Sequence, residues 1–454
     1  MDQIRIDVPD NAGRIIDRLY DAGFEAYVVG GCVRDALMGR TAHDWDICTS
    51  ADPQQVCRVF SDVPVIRTGI QHGTVTVLME QTGYEVTTFR TDGDYSDGRH
   101  PDSVHFVTRL QEDLGRRDFT INAMAYNDKT GLVDLYGGAE DLRDRRIRCV
   151  GDPMARFSED VLRIMRAVRF AAVLDFDIEE TTGQAVHACI PSINKVSAER
   201  ITTELRKMVC GVRFPALAAE FTDLFVEIIP EFAPCVGFDQ RSIWHCYDVW
   251  EHILATLASC SPEADEITRL ALLFHDIGKP YVVTETPDGH RHFRGHGKKG
   301  MELTDQILRR LKFDNRSREE ICQLVLYHDD TRYITRKGLR RLLSKVGATQ
   351  LQRLLLIHEA DMRAQEPEMI QTQLEAFDDV KTMLRELLSS GEKLTLKALA
   401  IHGEDLKALG FCSGEGMGRT LTHLLDMVID EDLPNEKEPL TAEALAFGRS
   451  QGLI

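Results

Sequence analysis

Near residue 140 the hydrophobic pattern of this chain changes period, and that change limits the folds open to it. Up to that point, short apolar runs alternate with helical segments. Asn11 can cap a first helix ending at Gly23, and Ala26–Val29 then reads as a short apolar strand. Gly30-Gly31 breaks the chain before a helix that ends near Gly39. His72–Leu78 and Tyr84–Arg90 are β-branched runs separated by Gln81-Thr82-Gly83, the spacing of a hairpin. After Asp134-Leu-Tyr-Gly137-Gly138, and from 155 to the end, apolar residues recur at helical spacing. The pattern predicts an α+β fold: an N-terminal head with a mixed β-sheet and helices, followed by all-α domains.

The 454 residues exceed what one compact core holds, so the helical part divides again. Pro230, Pro234 and Gly237 precede a histidine-rich section at 245–361, and Pro367 follows it. The expected domains are 1–140, 141–230, 231–375 and 376–454. No apolar run approaches the roughly 18 residues of a membrane span. The start, MDQIRIDVPD, lacks the basic and apolar stretches of a signal peptide. Eleven cysteines without a CxxC pair read as reduced thiols, so a soluble cytoplasmic protein is expected, with no membrane partner.

A net charge of −19 argues against a surface-wide grip on nucleic acid. From Arg99 to Arg169, however, 13 Lys/Arg face 12 Asp/Glu. Two basic runs stand out there, Arg143–Arg148 and Arg163–Arg169. The first is as well explained by a solvated face as by a ligand; the second is less easily explained that way.

His43-Asp44-Trp45-Asp46-Ile47 is the most informative short segment. On a strand, residues two apart share a face, so Asp44 and Asp46 would present parallel carboxylates. Hard divalent cations take oxygen ligands, and two carboxylates plus substrate phosphates suit Mg²⁺. Gly30 and Gly31 place backbone N–H groups at a helix start, where phosphate binds readily. Glu85 opens a further strand and can supply a third carboxylate.

Val29-Gly30-Gly31-Cys-Val-Arg34-Asp35, Asp44-Trp-Asp46 and Arg116-Arg117-Asp118-Phe119-Thr120-Ile-Asn122 closely resemble the tRNA nucleotidyltransferase/poly(A) polymerase family. Asp134-Leu-Tyr-Gly137-Gly138, Glu159-Asp160-Val-Leu-Arg163 and Ser197-Ala-Glu199-Arg200 resemble its later motifs, in order. The set is that of the bacterial-type (class II) CCA-adding enzymes, and the resemblance covers nearly the whole chain. It implies Mg²⁺ at Asp44 and Asp46, with Glu85 as third acid. Two metals about 4 Å apart would activate an RNA 3′-hydroxyl and stabilise leaving pyrophosphate. It implies nucleotide binding by Gly30, Gly31, Arg34, Arg117, Asp118, Asn122, Asp160, Arg163, Arg166 and Arg169, with Arg34, Arg116 and Arg117 addressing triphosphate or primer phosphates. The implied partners are tRNA, CTP and ATP; oligomeric state is not read from the sequence.

Asp160 and Arg163 lie three apart at the start of an expected helix, hence side by side. A carboxylate accepts hydrogen bonds and a guanidinium donates them. Cytosine offers N4–H₂ beside N3, and adenine N6–H₂ beside N1, in the same order; uracil and guanine reverse it. One Asp/Arg pair therefore admits C and A and leaves buried groups unpaired against U and G. The family gives the matching residues that templating role. Asp92–His100, rich in glycine and polar residues, resembles the flexible loop that enzymes adding only C tend to lack, which favours complete addition.

His252, His275-Asp276 and Asp361 resemble the four-ligand pattern of the HD phosphohydrolase superfamily, and His296 and His328 fall where some members place extra ligands or phosphate contacts. Such ligands suit Mn, Fe, Ni or Zn better than Ca. The implied chemistry is hydrolysis of a phosphomonoester or cyclic phosphodiester. The four domains thus read as nucleotidyltransferase head, helical neck with the base-recognition motif, HD metal-binding domain, and RNA-binding tail. The rival readings are a poly(A) polymerase, a partial CC- or A-adding enzyme, an HD phosphohydrolase with a nucleotide-binding head, and a non-catalytic RNA-binding protein.

Overall fold

The computed structural model describes residues 4–42, 44–93, 104–242, 246–330, 334–365, 367–392 and 394–454. They form two compact units, Met1–Pro230 and Glu231–Ile454. The first opens on a helix over Asp10–Asp21, started by Pro9. Asn11 therefore lies inside the helix and does not cap it; Pro9, which has no N–H to satisfy, precedes the first turn, and the start falls two residues earlier. The strands of this unit are β1 (Ala26–Val29), β2 (Ile47–Thr49), β3 (Val65–Ile66), β4 (Thr74–Met79), β5 (Thr82–Thr88), β6 (Arg90–Asp92), β7 (Val104–Phe106), β8 (Met124–Asn127), β9 (Gly131–Asp134) and a separate parallel pair, β10 (Arg146–Ile147) and β11 (Asp177–Ile178). Seven build one mixed sheet in the order β3-β4-β5-β2-β1-β8-β9, and β6 pairs with β7 apart from it.

The expected hairpin is β4–β5, closed by Glu80 and Gln81, both at positive φ. Alternation along the strands covers both faces of the sheet. Val28, Ile47, Val75, Val77 and Val86 pack under the first helix, while Tyr27, Val29, Cys48 and Phe89 pack with Leu110 and Leu114.

Register decides what meets at the sheet's end. β1 runs antiparallel to β2 with Val28 opposite Ile47, and β2 runs parallel to β5 with Ile47 beside Val86. One step outward, Gly30 follows β1, Asp46 precedes β2, and Glu85 lies on β5. The Val29 N–H donates to the Asp46 carbonyl at 3.0 Å, which carries the pairing one residue past β2. Two expectations are corrected here. Asp44 and Asp46 lie just before a strand, not on it, and Glu85 sits in mid-strand because the tight turn starts β5 at Thr82.

After Gly138 the chain is mainly helical. In the second unit, Leu339, Leu342, Leu351, Leu355, Met362, Phe377 and Leu384 form one core, and Leu399, Ile401, Leu406, Leu424 and Leu440 form another. Among the described residues, no helix is long and apolar enough to cross a membrane.

Candidate active site of the head and a histidine–aspartate centre

The head site is built where the end of β1 and the start of β2 meet the middle of β5. Asp44, Asp46 and Glu85 are all exposed. The Asp46 carboxyl is raised above its ordinary range: protein atoms crowd it on the cleft floor, and Glu85 and, more weakly, Asp44 repel its charge, against Arg117. It is open to solvent on one side and surrounded on the others. Carboxylate oxygens are what a hard divalent cation takes and would relieve this repulsion, although, unlike the groups around Asp276, these three do not all lie within common ligand distance of one another.

Gly30 is required on two counts. Its φ is +84°, and a Cβ there would stand 2.9 Å from Arg117 Nη1. The Arg117 guanidinium thus lies over the glycine turn. It is held from behind by Asp113, whose Oδ2 accepts from Arg117 Nη2 at 3.2 Å while Oδ1 accepts from Arg116 Nη2 at 2.9 Å. Burial would raise the Asp113 carboxyl, but the two guanidinium charges hold it below the usual range. Asp113 escaped the sequence reading; three and four residues ahead of the arginine pair, it is the acid that helical spacing supplies.

A second chain of contacts runs across the head. Arg34 Nη1 donates to Asn122 Oδ1 at 2.8 Å, and Asn122 Nδ2 donates to Asp118 Oδ1 at 3.2 Å. Arg166 Nε donates to Asp118 Oδ2 at 2.8 Å. Burial opposes a charge on Asp118, yet Arg166 outweighs it and holds the carboxyl far below its ordinary value. Arg34, Arg166 and Arg169 all lie against the Phe170 ring, Arg169 at 3.8 Å. Arg169 is further tied to Glu204.

The base-reading motif differs from expectation. One helix ends at Glu159 and the next begins at Leu162, with Asp160 extended between them. The Asp160 side chain accepts from the Leu162 N–H at 3.1 Å; this local bond competes with helix continuation. Asp160 and Arg163 are not a side-chain pair. Arg200 holds both Asp160 oxygens at 2.8 and 3.1 Å, and Arg163 donates to Glu159 at 2.7 Å and to the Arg116 carbonyl at 3.0 Å. Arg200 belonged to a quoted motif, but its partner forty residues earlier left no local signal.

The basic run at 143–148 is consumed within the fold: Arg143 faces Glu140 and Asp144, Arg145 faces Asp175, and Arg148 faces Asp141. The expected flexible loop lies, from residue 94 to 100, outside the described residues.

In the second unit, helix ends bring six side chains to one point. His252 sits on the helix Val249–Ala258, capped by Asp248 and Glu251. His275 and Asp276 follow the helix Glu266–Phe274, and Asp361 lies on Ala348–Arg363. His252 Nε2 is 2.8 Å from Asp361 Oδ1 and 3.3 Å from Asp276 Oδ2; His275 Nε2 is 3.2 Å from the latter. On the other Asp276 oxygen, His296 and His328 approach at 3.4 and 3.5 Å. Two three-membered ligand groups therefore share Asp276. Gly278 permits this closeness, since a Cβ there would strike the His296 carbonyl at 2.3 Å.

The donor set fits metal ions. The Nδ1 atoms of His275, His296 and His328 each face a backbone carbonyl, at 2.7, 2.9 and 2.7 Å, which leaves Nε2 as the ligand atom. His275 Nε2 is buried without a hydrogen-bond donor, an orphan that a cation would satisfy. Burial and the neighbouring His328 push His296 down to about 4, so its imidazole is neutral, as a ligand must be.

Three family descriptions match the chain: Poly A polymerase head domain over 26–148, probable RNA and SrmB-binding site of polymerase A over 175–235, and HD domain over 243–365. Head and centre together define a nucleotidyltransferase joined to an HD module. The CCA-adding enzyme of Enterococcus faecalis is 34% identical over 444 residues, 97% of this chain and 95% of that one. The Bacillus stearothermophilus CCA-adding enzyme in complex with CTP superposes with a TM-score of 0.75 at 30% identity, covering 98% and 99% of the two chains. The Thermotoga maritima CCA-adding enzyme complexed with tRNA, at 21% identity and a TM-score of 0.58 over 98% and 100%, shares the fold. The chain belongs to the family of CCA-adding enzymes.

Proposed function

We infer that this protein adds C, C and A to the 3′ end of tRNA from CTP and ATP, without a nucleic-acid template. The observation that carries the site is the meeting of Asp44, Asp46 and Glu85 beside an arginine laid over Gly30. Family membership favours this reading over a poly(A) polymerase, a partial CC- or A-adding enzyme, or a hydrolase whose head only binds nucleotide. In it, Asp44, Asp46 and Glu85 hold Mg²⁺, which supplies charge neutralisation for the attacking hydroxyl and the leaving pyrophosphate. Arg117 and Arg34 take triphosphate oxygens, and Gly30-Gly31 offers backbone N–H groups. Asp160 and Arg163 read the base edge once Asp160 exchanges its bond to Arg200 for the exocyclic amine. Residues 1–140 act as head, 141–230 as neck, 231–375 as HD domain and 376–454 as RNA-holding tail; the last two share the helix Pro367–Ser389. The reaction is cytoplasmic.

The test is incubation with tRNA transcripts lacking A, CA or CCA and each nucleotide separately, followed by sequencing of the ends. Ordered C, C and A addition is expected. Runs of A, or no extension, would overturn the reading.

The paired ligand groups around Asp276 support a second activity: hydrolysis of a phosphomonoester or cyclic phosphodiester with Mn²⁺, Ni²⁺ or another transition metal. The supporting measurement is phosphate release by the Mn²⁺-loaded protein; a protein that binds the metal and cleaves nothing would make the site structural.

A further inference from the structure

The two hydrophobic cores that end the second unit are joined by one helix. Leu339 and Leu342 of Arg336–Val346 belong to the core built with Pro367–Ser389. Among the described residues, Leu343 is the one apolar side chain packed against both that core and the core that begins at Leu394. The chain passes between them at Gly391, whose φ of +68° lies in the left-handed region that favours glycine. Ion pairs make up the rest of the joint. Arg340 is buried there, and each of its nitrogens is used: Nε donates to the Ile429 carbonyl at 2.8 Å, Nη2 to the Val428 carbonyl at 2.9 Å, and Nη1 to Glu392. Asp430 accepts from Arg341 at 2.6 and 2.8 Å, and Lys337 stands 2.9 Å from it. Glu431 lies 3.3 Å from Arg336 and 3.5 Å from Arg340.

By itself the end of the helix Glu415–Ile429 is poorly made. Its last carbonyls lack intrahelical partners, and two acids stand where the macrodipole is already negative. Glu431, which is not glycine, has a φ of +62°. Arg340 gives two of those carbonyls their donors, and four cations spaced along one face of Arg336–Val346 neutralise the acids. Such a joint fixes direction, because hydrogen-bonded ion pairs are directional and apolar packing is not. It is also screened by salt. A cavity of about 460 Å³ lined by Arg340, Leu394 and Asn435 lies over it, so packing does not wedge the joint in place.

We propose that Arg340 is a positioning residue for RNA: it sets the direction of the chain from Leu394 onward, and with it the direction in which an RNA held there leaves the tail. The proposal rests on the reading of the tail as RNA-holding and adds the group that aims it. Arg340 touches neither nucleotide nor RNA in this account. Its effect therefore falls on acceptors that engage the tail and spares those that do not.

The experiment measures kcat and KM of the full chain with two acceptors, a tRNA lacking CCA and a short hairpin with the same 3′ end. Wild type is expected to show the lower KM for the tRNA. Arg340→Met should raise that KM about tenfold, the size of one charged hydrogen bond, with kcat within about twofold and the hairpin constants unchanged. Arg340→Lys keeps the charge with fewer fixed donors and should recover part of the loss. Asp430→Asn leaves the buried arginine in place and decides the matter if Arg340→Met does not fold. It should raise KM for the tRNA about threefold, as a half-exposed ion pair would. A KM raised equally for the hairpin, a fall in kcat with KM unchanged, or folded variants indistinguishable from wild type would overturn the proposal. If wild type shows no preference for the tRNA, the RNA-holding reading fails separately, and amide hydrogen exchange decides the joint. Faster exchange from residue 394 onward in Arg340→Met, with the neighbouring core unchanged, supports an aiming role for Arg340, and equal exchange refutes it.

Discussion

The two candidate centres hold their acids in opposite ways. In the head, Asp44 and Asp46 stand exposed just before β2 and Glu85 on β5, and their organisation comes from register and from arginines fixed behind them. In the second unit, His252, His275 and Asp276 are buried on helices or at their ends, with the His275 ring oriented by a carbonyl and the His252 ring by Asp361. An exposed set of carboxylates suits an ion that arrives and leaves with its nucleotide. A buried imidazole–carboxylate set suits an ion that stays. The contrast separates turnover from residence.

The largest effect that could break the comparison comes from the head. Asp46→Ala should lower nucleotide addition by more than about a thousandfold, since the acid is asked for transition-state charge stabilisation, while the exposed position leaves circular dichroism and unfolding unchanged. Substantial incorporation with Mg²⁺ would end the assignment. Next, Asp276→Ala should remove both ligand groups at once. Metal analysis after dialysis should then show Mn²⁺ retention lost, and hydrolysis with it, with CCA addition within about twofold of wild type. Loss of addition as well would mean the centres are not independent.

Asp160→Ala sharpens the head's side of the contrast. One lost charged hydrogen bond corresponds to about 1.5–3 kcal/mol, roughly 10- to 150-fold in the CTP over UTP ratio of kcat/KM. An unchanged ratio would remove base reading from this segment. Asp118→Asn should cost about 1.5 kcal/mol at pH 7, because an amide keeps one acceptor for Arg166 but loses the charge. The Asp118 carboxyl is depressed in the folded protein, so its contribution is present above the unfolded value near 4 and fades as pH falls below it. The urea midpoints of wild type and variant should therefore converge in acid. Smallest is Arg143→Ala, in an ion pair exposed on both sides, expected to shift stability by less than about 0.5 kcal/mol and activity not at all.

What the sequence carried depended on distance along the chain. Ala26–Val29, the turn at Gly30 and the β4–β5 hairpin were legible because apolar runs and turn residues are local signals. So was the clustering of His275 with Asp276. Asp160 was misread as helical because a carboxylate at that point can accept from the next helix's N–H, which helical spacing does not reveal. Asp113, one turn ahead of Arg116 and Arg117, was within reach of local spacing and went unread, whereas Arg200 was passed over for a related reason. A partner is written into a sequence only when it lies within a turn or two, and Arg200 meets Asp160 across forty residues.

The parallel pairing of β2 with β5 has a kinetic consequence. Asp46 and Val29 meet through a short connection, whereas Glu85 reaches Asp46 only after the intervening chain has folded its own helix, a short 3₁₀ turn at Ile70–His72 and two strands and crossed back. Closing such a loop adds little to the thermodynamic cost, which grows only with the logarithm of its length, but long-range parallel pairing forms slowly. A chain still emerging from the ribosome carries two of the three acids well before the third. Under the proposed function, the head's cleft therefore gains its third acid late, once β5 has docked.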